Sequence, residues 1–367
     1  IVPILPYHTW TKDSPHSDTS PYYNCVRLFR QRDPKHWNPT FQNLYKALEE
    51  KFKNKTGRDS VFVSSCTNGI YLALKKLNLQ NQYVIMPPIT FFGIASAIIK
   101  AGGIPLYSRV DKYGLMDISS VYDLLDSYKV RAIIPSHINN RYVETRKIHE
   151  SLIIEDAAPA FGMKRSDNSC VVSDTTNTSV ISFSYGKPLT AGEGGMIMGN
   201  DSNWYRGQRY CGLTNVDGQY GYGSFNVEEP ELKLSNTAIS AAIVMNKMRS
   251  LEQNIEKARK IAKYYYSVFG MMQDAELYEN GNHQTFVLLT EHKNVISKAL
   301  EENNIKSYSS HRPVYFNDAF SEFAGASRFK STSETYFNRI LHIPCRYDLS
   351  DDQVNMIADT VKKALIK

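Results

Sequence analysis

The 367 residues are 42% hydrophobic, enough to bury a large core, and the length suits two domains or one large domain with a smaller appendage. The formal net charge of +6 is spread along the chain, which argues against a nucleic-acid binder and suits either a nucleotide-diphosphate or phosphorylated ligand or simply a solvated mixed surface. No apolar run is long enough to span a bilayer, no charged-then-apolar start reads as a signal peptide, and Cys25, Cys66, Cys170, Cys211 and Cys345 lack metal-type spacing, so a cytoplasmic protein with reduced thiols and no membrane partner is expected.

From Ser60 to Asn200 short β-branched runs alternate with helical patterns, as an α/β domain with a largely parallel sheet requires. The predicted strands are Val61 to Ser64, Tyr83 to Met86, Ile104 to Ser108, Ala132 to Pro135, Leu152 to Glu155, Val180 to Ser184 and Met196 to Met198, with helices such as Asn68 to Leu77 and Ile94 to Ala101 between them. Ligands of open α/β sheets collect where strands end and helices begin. The chemistry-bearing residues fall at such places.

In VFVSSCTNGIYLALKKL (Val61 to Leu77) the N–H groups of Thr67 to Gly69 open a helix, where a phosphate suits the positive dipole end and Ser65 and Thr67 can add hydroxyls. An ordinary helix cap is the alternative. In MPPITFFGIASAIIKAGGIPLY, Phe91 or Phe92 can stack on a flat ligand or pack in the core, and in an extended chain only one of them faces a ligand. IIEDAAPAFG (Ile153 to Gly162) ends an apolar run on Asp156, a carboxylate that is costly there unless paired, or else a helix cap before Ala157 to Phe161; Glu155 points the other way. ISFSYGKPLTAGEGGMI (Ile181 to Ile197) places Lys187 between Gly186 and Pro188, and a lysine withdrawn from water there is a usable nucleophile. Ser182, on the same strand, is a further hydroxyl for phosphate.

A lysine and a carboxylate released at the ends of core strands can address opposite ends of pyridoxal phosphate: an amine for its aldehyde, as a Schiff base, and an anion that keeps its ring nitrogen protonated. Beyond these, Arg206 to Ser235 reads as a long loop, and one helix runs from Asn236 to about Ser267 with Ile239, Ile243, Leu251, Ile255, Ala258, Ala262 and Tyr265 as its stripe. The chain closes on LSDDQVNMIADTVKKALI, where Ser350 and Gln353 make a capping box and Val354, Ile357, Val361 and Leu365 an apolar stripe. A large domain over 1–245, including an N-terminal segment 1–55, and a small C-terminal domain over 246–367 are expected. The nine histidines, among them His137, His283, His311 and His342, show no metal-ligand spacing.

The order of SSCTNGIYLAL, PPITFFGIASAI, AGGIPLY, IIPSH, IIEDAAPAFG, FSYGKPLTAGEGGM, LSNTAISAAI and ILHIPCRYDLSDDQV resembles the DegT/DnrJ/EryC1/StrS sugar aminotransferases, a branch of the fold-type I pyridoxal-phosphate enzymes. The resemblance implies Lys187 as the Schiff-base lysine, Asp156 as partner of the ring nitrogen, Phe91 stacked on the ring, and Thr67, Asn68 and Ser182 around the phosphate, with Ser65 and Cys66 as further cofactor-binding candidates beside them. It implies cycling between the pyridoxal and pyridoxamine forms, L-glutamate as donor, a nucleotide-linked keto sugar as acceptor and a homodimer with shared active sites. A dTDP-4-keto-6-deoxyhexose aminated at C4 is the expectation; C3 amination of a dTDP-3-keto sugar and a catalytically silent regulator or scaffold are the alternatives. The related sugar dehydratases carry His where Lys187 stands. Two departures stand out. Pro159 occupies the place of a Gln that supports the ring hydroxyl, and Glu231 falls near an Asn that reaches the partner's phosphate, with Asn226 as its candidate substitute. His311 and Arg312 are expected to meet the substrate's diphosphate.

Overall fold

The computed structural model describes residues 38–149, 152–173, 178–211, 227, 230–323 and 330–366. Seven short strands form one sheet: β1 (Ser60–Val63), β2 (Tyr83–Met86), β3 (Ile104–Tyr107), β4 (Val130–Ile133), β5 (Leu152–Asp156), β6 (Thr178–Ser182) and β7 (Gly195–Met198). Their order is β1-β7-β6-β5-β4-β2-β3, parallel throughout except for β7, which runs antiparallel to both neighbours. Every predicted strand is present, with ends shifted by a residue or two.

Both faces of this sheet are covered, and the side chains sort between them by strand alternation. Val61, Val63, Val180 and Ile197 pack with α2 (Cys66–Lys75) and α3 (Gly93–Lys100). Phe62, Ile181, Met196 and Met198 pack on the opposite face with Leu48 and Phe52 of α1 (Asn38–Thr56). Because β4, β5 and β6 are adjacent and parallel, their ends lie together, beside the start of α2, where Cys66 meets Asp156 and Val180.

After α4 (Ile118–Ser127) and α5 (Ser202–Gln208) the chain was expected to run as one helix from Asn236 to Ser267. It forms two: α6 (Ala238–Lys247) and α7 (Leu251–Phe269). The reason lies in the apolar phase. Ala241 and Val244 face the large sheet, whereas Leu251 to Phe269 follow a stripe that crosses to a second core. The turn at Met248 to Ser250 makes the change, and Ile239 and Ile243, expected on the buried stripe, are exposed.

The second core holds the antiparallel pair β8 (Thr285–Leu289) and β9 (Ile340–Pro344), packed with α7, α8 (Lys293–Glu302) and α10 (Asp351–Ile366). α9 (Lys330–Arg339) leads into β9. The expected capping box is formed: Gln353 N–H donates to Ser350 Oγ at 3.3 Å and Ser350 N–H to Gln353 Oε1 at 3.0 Å. No helix among the described residues is long and apolar enough to cross a membrane.

Candidate active site

Asp156 closes β5 and is 4% exposed. Its main chain is clasped from the end of β4, with its N–H donating to Pro135 O at 2.9 Å and its carbonyl accepting from His137 N–H at 2.9 Å. Its Oδ1 accepts from Ala158 N–H at 3.1 Å and lies 3.8 Å from the Cys66 thiol; its Oδ2 lies 3.5 Å from the Thr90 hydroxyl. The cap alternative is met in part, since Asp156 caps a turn over 158–162 rather than a helix. All of these donors are neutral. No cation pairs with the carboxylate among the described residues, an expensive arrangement for a buried charge.

Glu155 points to the other face, as strand alternation requires. There it meets Ser179, Thr145 at 2.9 Å, His137 Nε2 at 3.6 Å and Arg165 at 3.7 Å. Burial works to raise its pKa, but hydrogen bonds from His137, Ser179 and Thr145 outweigh it and bring the group down to about 2. Val143 N–H donates to His137 Nδ1 at 3.2 Å, so the ring proton sits on Nε2, facing Glu155.

The start of α2 lies against β7 and β6. Ser65 is the cap, accepting from Asn68 N–H at 3.1 Å, and Asn68 Nδ2 donates to Ser64 at 2.9 Å. These contacts engage Ser65 and Asn68 within the fold and leave the Cys66 and Thr67 N–H groups at the positive end of the helix. Ser182 pairs in register with Gly195, against which the Ser65–Cys66 backbone packs. The Ser182 hydroxyl lies 2.8 Å from that of Ser184 and accepts from Ser184 N–H at 3.1 Å, so a pair of serines, of which only Ser182 was predicted, stands at the end of β6.

Lys187 follows in a turn that Gly186, at φ +81°, makes possible. It is half-buried, and its amine makes no hydrogen bond or ion pair among the described residues. Two groups feel its charge. Burial and the neighbouring Asp156 push the Cys66 thiol well up against the opposing pull of Lys187, and burial followed by Lys187 pushes His311 down to about 4. The charge of Lys187 thus reaches both His311 and Cys66, and Cys66 in turn lies 3.8 Å from Asp156. Phe91 and Phe92 are 48% and 52% exposed, with ring centroids 4.4 Å apart. The chain there is already turning into α3, with Phe92 at φ −58°, so the two rings lie together rather than on opposite sides as an extended chain would place them.

Val314 N–H donates to Pro88 O at 2.9 Å, tying the His311 segment to the loop that carries Phe91. Arg312 is exposed, its guanidinium 5.1 Å from the Phe316 ring. The Pro159 carbonyl accepts from Asn282 and, at 3.0 Å, from Gln284, so this position docks a segment of the second core instead of offering a donor. Glu231 accepts from Lys75 at 2.6 Å and Tyr71 at 3.2 Å, which fastens it to the far end of α2, away from the phosphate-suited start. Asn226 lies outside the described residues.

Pyridoxal phosphate fits these residues. A buried carboxylate held only by neutral donors calls for a positively charged partner such as a protonated ring nitrogen, an unpaired amine stands in the same space, an exposed phenyl ring lies alongside, and a helix start and two serines suit an anion. Sequence reasoning missed Thr90 and Ser136, which meet at Asp156, and Ser184. The only signal for Thr90 was its place beside Phe91.

The model of the DegT/DnrJ/EryC1/StrS aminotransferase family matches residues 27–362. The spore coat polysaccharide biosynthesis protein SpsC of Bacillus subtilis is 23% identical over 86% of this chain and 88% of its own. The UDP-4-amino-4,6-dideoxy-N-acetyl-beta-L-altrosamine transaminase of Helicobacter pylori is 22% identical over 80% of this chain and 81% of its own. Among solved structures, a DegT DnrJ EryC1 StrS aminotransferase from Brucella abortus superposes with a TM-score of 0.79 at 21% identity, covering 88% of this chain and 91% of that one, a likeness of fold.

Proposed function

The chain belongs to the DegT/DnrJ/EryC1/StrS aminotransferase family, and on that premise we propose that it transfers an amino group from L-glutamate to the keto carbon of a nucleotide-linked sugar. Its cofactor, pyridoxal phosphate, supplies when bound a carbon that carries the amine and a ring that takes up an electron pair. Lys187 would hold that carbon through its amine and, once free of it, would carry the proton between the donor's α-carbon and the carbon that bears the amine. Asp156 holds the proton on the ring nitrogen, so that negative charge developing at the reacting carbon meets a preorganised positive one. Phe91 would cover one face of the ring, and Thr67, Ser182 and the start of α2 would hold the phosphate.

The observation that carries this reading is a buried Asp156 lacking any cationic partner among the described residues, in the space reached by the charge of Lys187. The finer reading is amination at C4 of a dTDP-linked 4-keto-6-deoxyhexose, with His311 and Arg312 toward the diphosphate. A relative whose name specifies a 4-amino sugar on UDP supports C4 and leaves the nucleotide as the variable to test. Exposed Leu232, Ile239 and Ile243 support a homodimer that covers them. The experiment is to mix the pyridoxamine-loaded protein with UDP-, GDP- and dTDP-linked 3-keto and 4-keto sugars and follow return of the pyridoxal absorption. Return with a 4-keto sugar and nitrogen on C4 by NMR is expected; nitrogen on C3 overturns the regiochemistry, and no return with any sugar overturns the substrate class.

A further inference from the structure

We infer that Thr90, backed by Ser136, is a positioning residue for the Asp156 carboxylate, an inference that rests on Asp156 being the partner of the ring nitrogen. Thr90 is 2% exposed and Ser136 fully buried, so neither hydroxyl can turn to bulk water. Their oxygens lie 2.8 Å apart, and Thr90 Oγ1 lies 3.5 Å from Asp156 Oδ2. The direction of the protons follows from the acceptor. A carboxylate that faces a ring N–H is ionised and can only accept, so the Thr90 hydroxyl donates to it and must in turn accept from Ser136. Ser136 to Thr90 to Asp156 is thus a chain with one sense.

Both ends of the chain are anchored. Ser136 stands opposite Asp156 in a parallel bridge, fixed by the hydrogen bonds that Pro135 and His137 make to the Asp156 main chain. Thr90 adjoins Phe91, so the hydroxyl that aligns the carboxylate and the ring that covers the cofactor's face come from consecutive residues of one loop. Oδ1 is held separately by Ala158 N–H and the Cys66 thiol. With Thr90 removed, the carboxylate keeps its Oδ1 contacts but Oδ2 loses the Thr90 hydroxyl, so the plane of the group is held from one side alone and what is lost is aim, not charge. The 3.5 Å separation is long for an O–H···O bond, and such contacts close when the bound partner draws the carboxylate into place.

Thr90→Val keeps the side-chain shape and removes the hydroxyl; Thr90→Ser keeps the hydroxyl and removes the methyl. Affinity of the apo-protein for pyridoxal phosphate, from quenching of protein fluorescence, is measured beside kcat and KM for these variants, Ser136→Ala and Asp156→Asn. Thr90→Val is expected to lose about tenfold or more in kcat and several-fold in cofactor affinity with sugar KM little changed, the size of effect that follows loss of a hydrogen bond to a charged group. Thr90→Ser should stay within about threefold of the parent, and Ser136→Ala should fall between them. A Thr90→Val protein with parental affinity and kcat, or a Thr90→Ser protein as impaired as Thr90→Val, overturns the inference. Should Thr90→Val not fold, parental values for Ser136→Ala overturn it. Asp156→Asn separates the two levels: if it too is unimpaired, the reading of Asp156 itself fails, whereas impairment of Asp156→Asn alone removes only Thr90 and Ser136.

Discussion

In the proposed reaction the chemistry turns on Asp156 and Lys187, and each has a structural role that must be separated from a chemical one. Asp156→Asn preserves the acceptor for Ala158 N–H and so keeps the turn, but an amide cannot hold a proton on the ring nitrogen. Turnover should fall by about two or more powers of ten, on the order of 3 kcal/mol, while the melting temperature changes little. Intact turnover with a lowered melting temperature would make Asp156 a cap. Asp156 stood out in the sequence because a charge closing an apolar run is costly, and Lys187 because it lies between Gly186 and Pro188. Thr90, Ser136 and Ser184 were not, because a small hydroxyl among apolar residues is an ordinary sight and its partner lies on another strand. Pro159 and Glu231 were visible as departures, yet only the fold reveals that one takes hydrogen bonds from Asn282 and Gln284 and the other pairs with Lys75.

Among the elements, strands were the most legible, since runs such as Val61 to Val63 and Val180 to Ile181 are β-branched, bounded by turn residues and buried on both sides. The linking helix was misread because Ile239 and Ile243 fit a helical period whether or not that face is buried, and periodicity does not say where a helix changes direction. The contact of β7 with α2 carries a prediction. A Cβ on Gly195 would lie 2.6 Å from Ser65 C and 2.7 Å from Cys66 N, backbone atoms that retreat only if the helix start moves. Gly195→Ala should therefore destabilise the protein by about 1–3 kcal/mol, as overpacking does. It should also weaken phosphate-dependent binding, so that affinity for pyridoxal phosphate falls more than affinity for pyridoxal. Parental affinity for both would separate this contact from the phosphate site.

For the whole molecule, three histidines, His283 and His342 buried and His311 half-buried, set a pH dependence. Burial pushes His283 and His311 down to about 4, the latter helped by Lys187, and His342 to about 3, helped by His311, all from an ordinary value of 6.5. Below 6.5 the unfolded chain takes up protons that the native protein refuses, so stability is full above that pH and is lost as pH falls from 6.5 toward 4. Glu155 acts lower down: its folded pKa is depressed, so its contribution is present above about 4.5 and disappears toward about 2. Calorimetry should show the melting temperature falling between pH 7 and 5; a flat or rising trend would mean that the histidines are not held neutral. The joining of a lysine, a carboxylate and a helix start from distant parts of one sheet around a single cofactor is tested most directly by borohydride reduction of the loaded protein followed by peptide mapping. The reduced cofactor's mass is expected on the peptide bearing Lys187, with loss of the visible band; an adduct on another lysine, or a band that survives reduction, would contradict it.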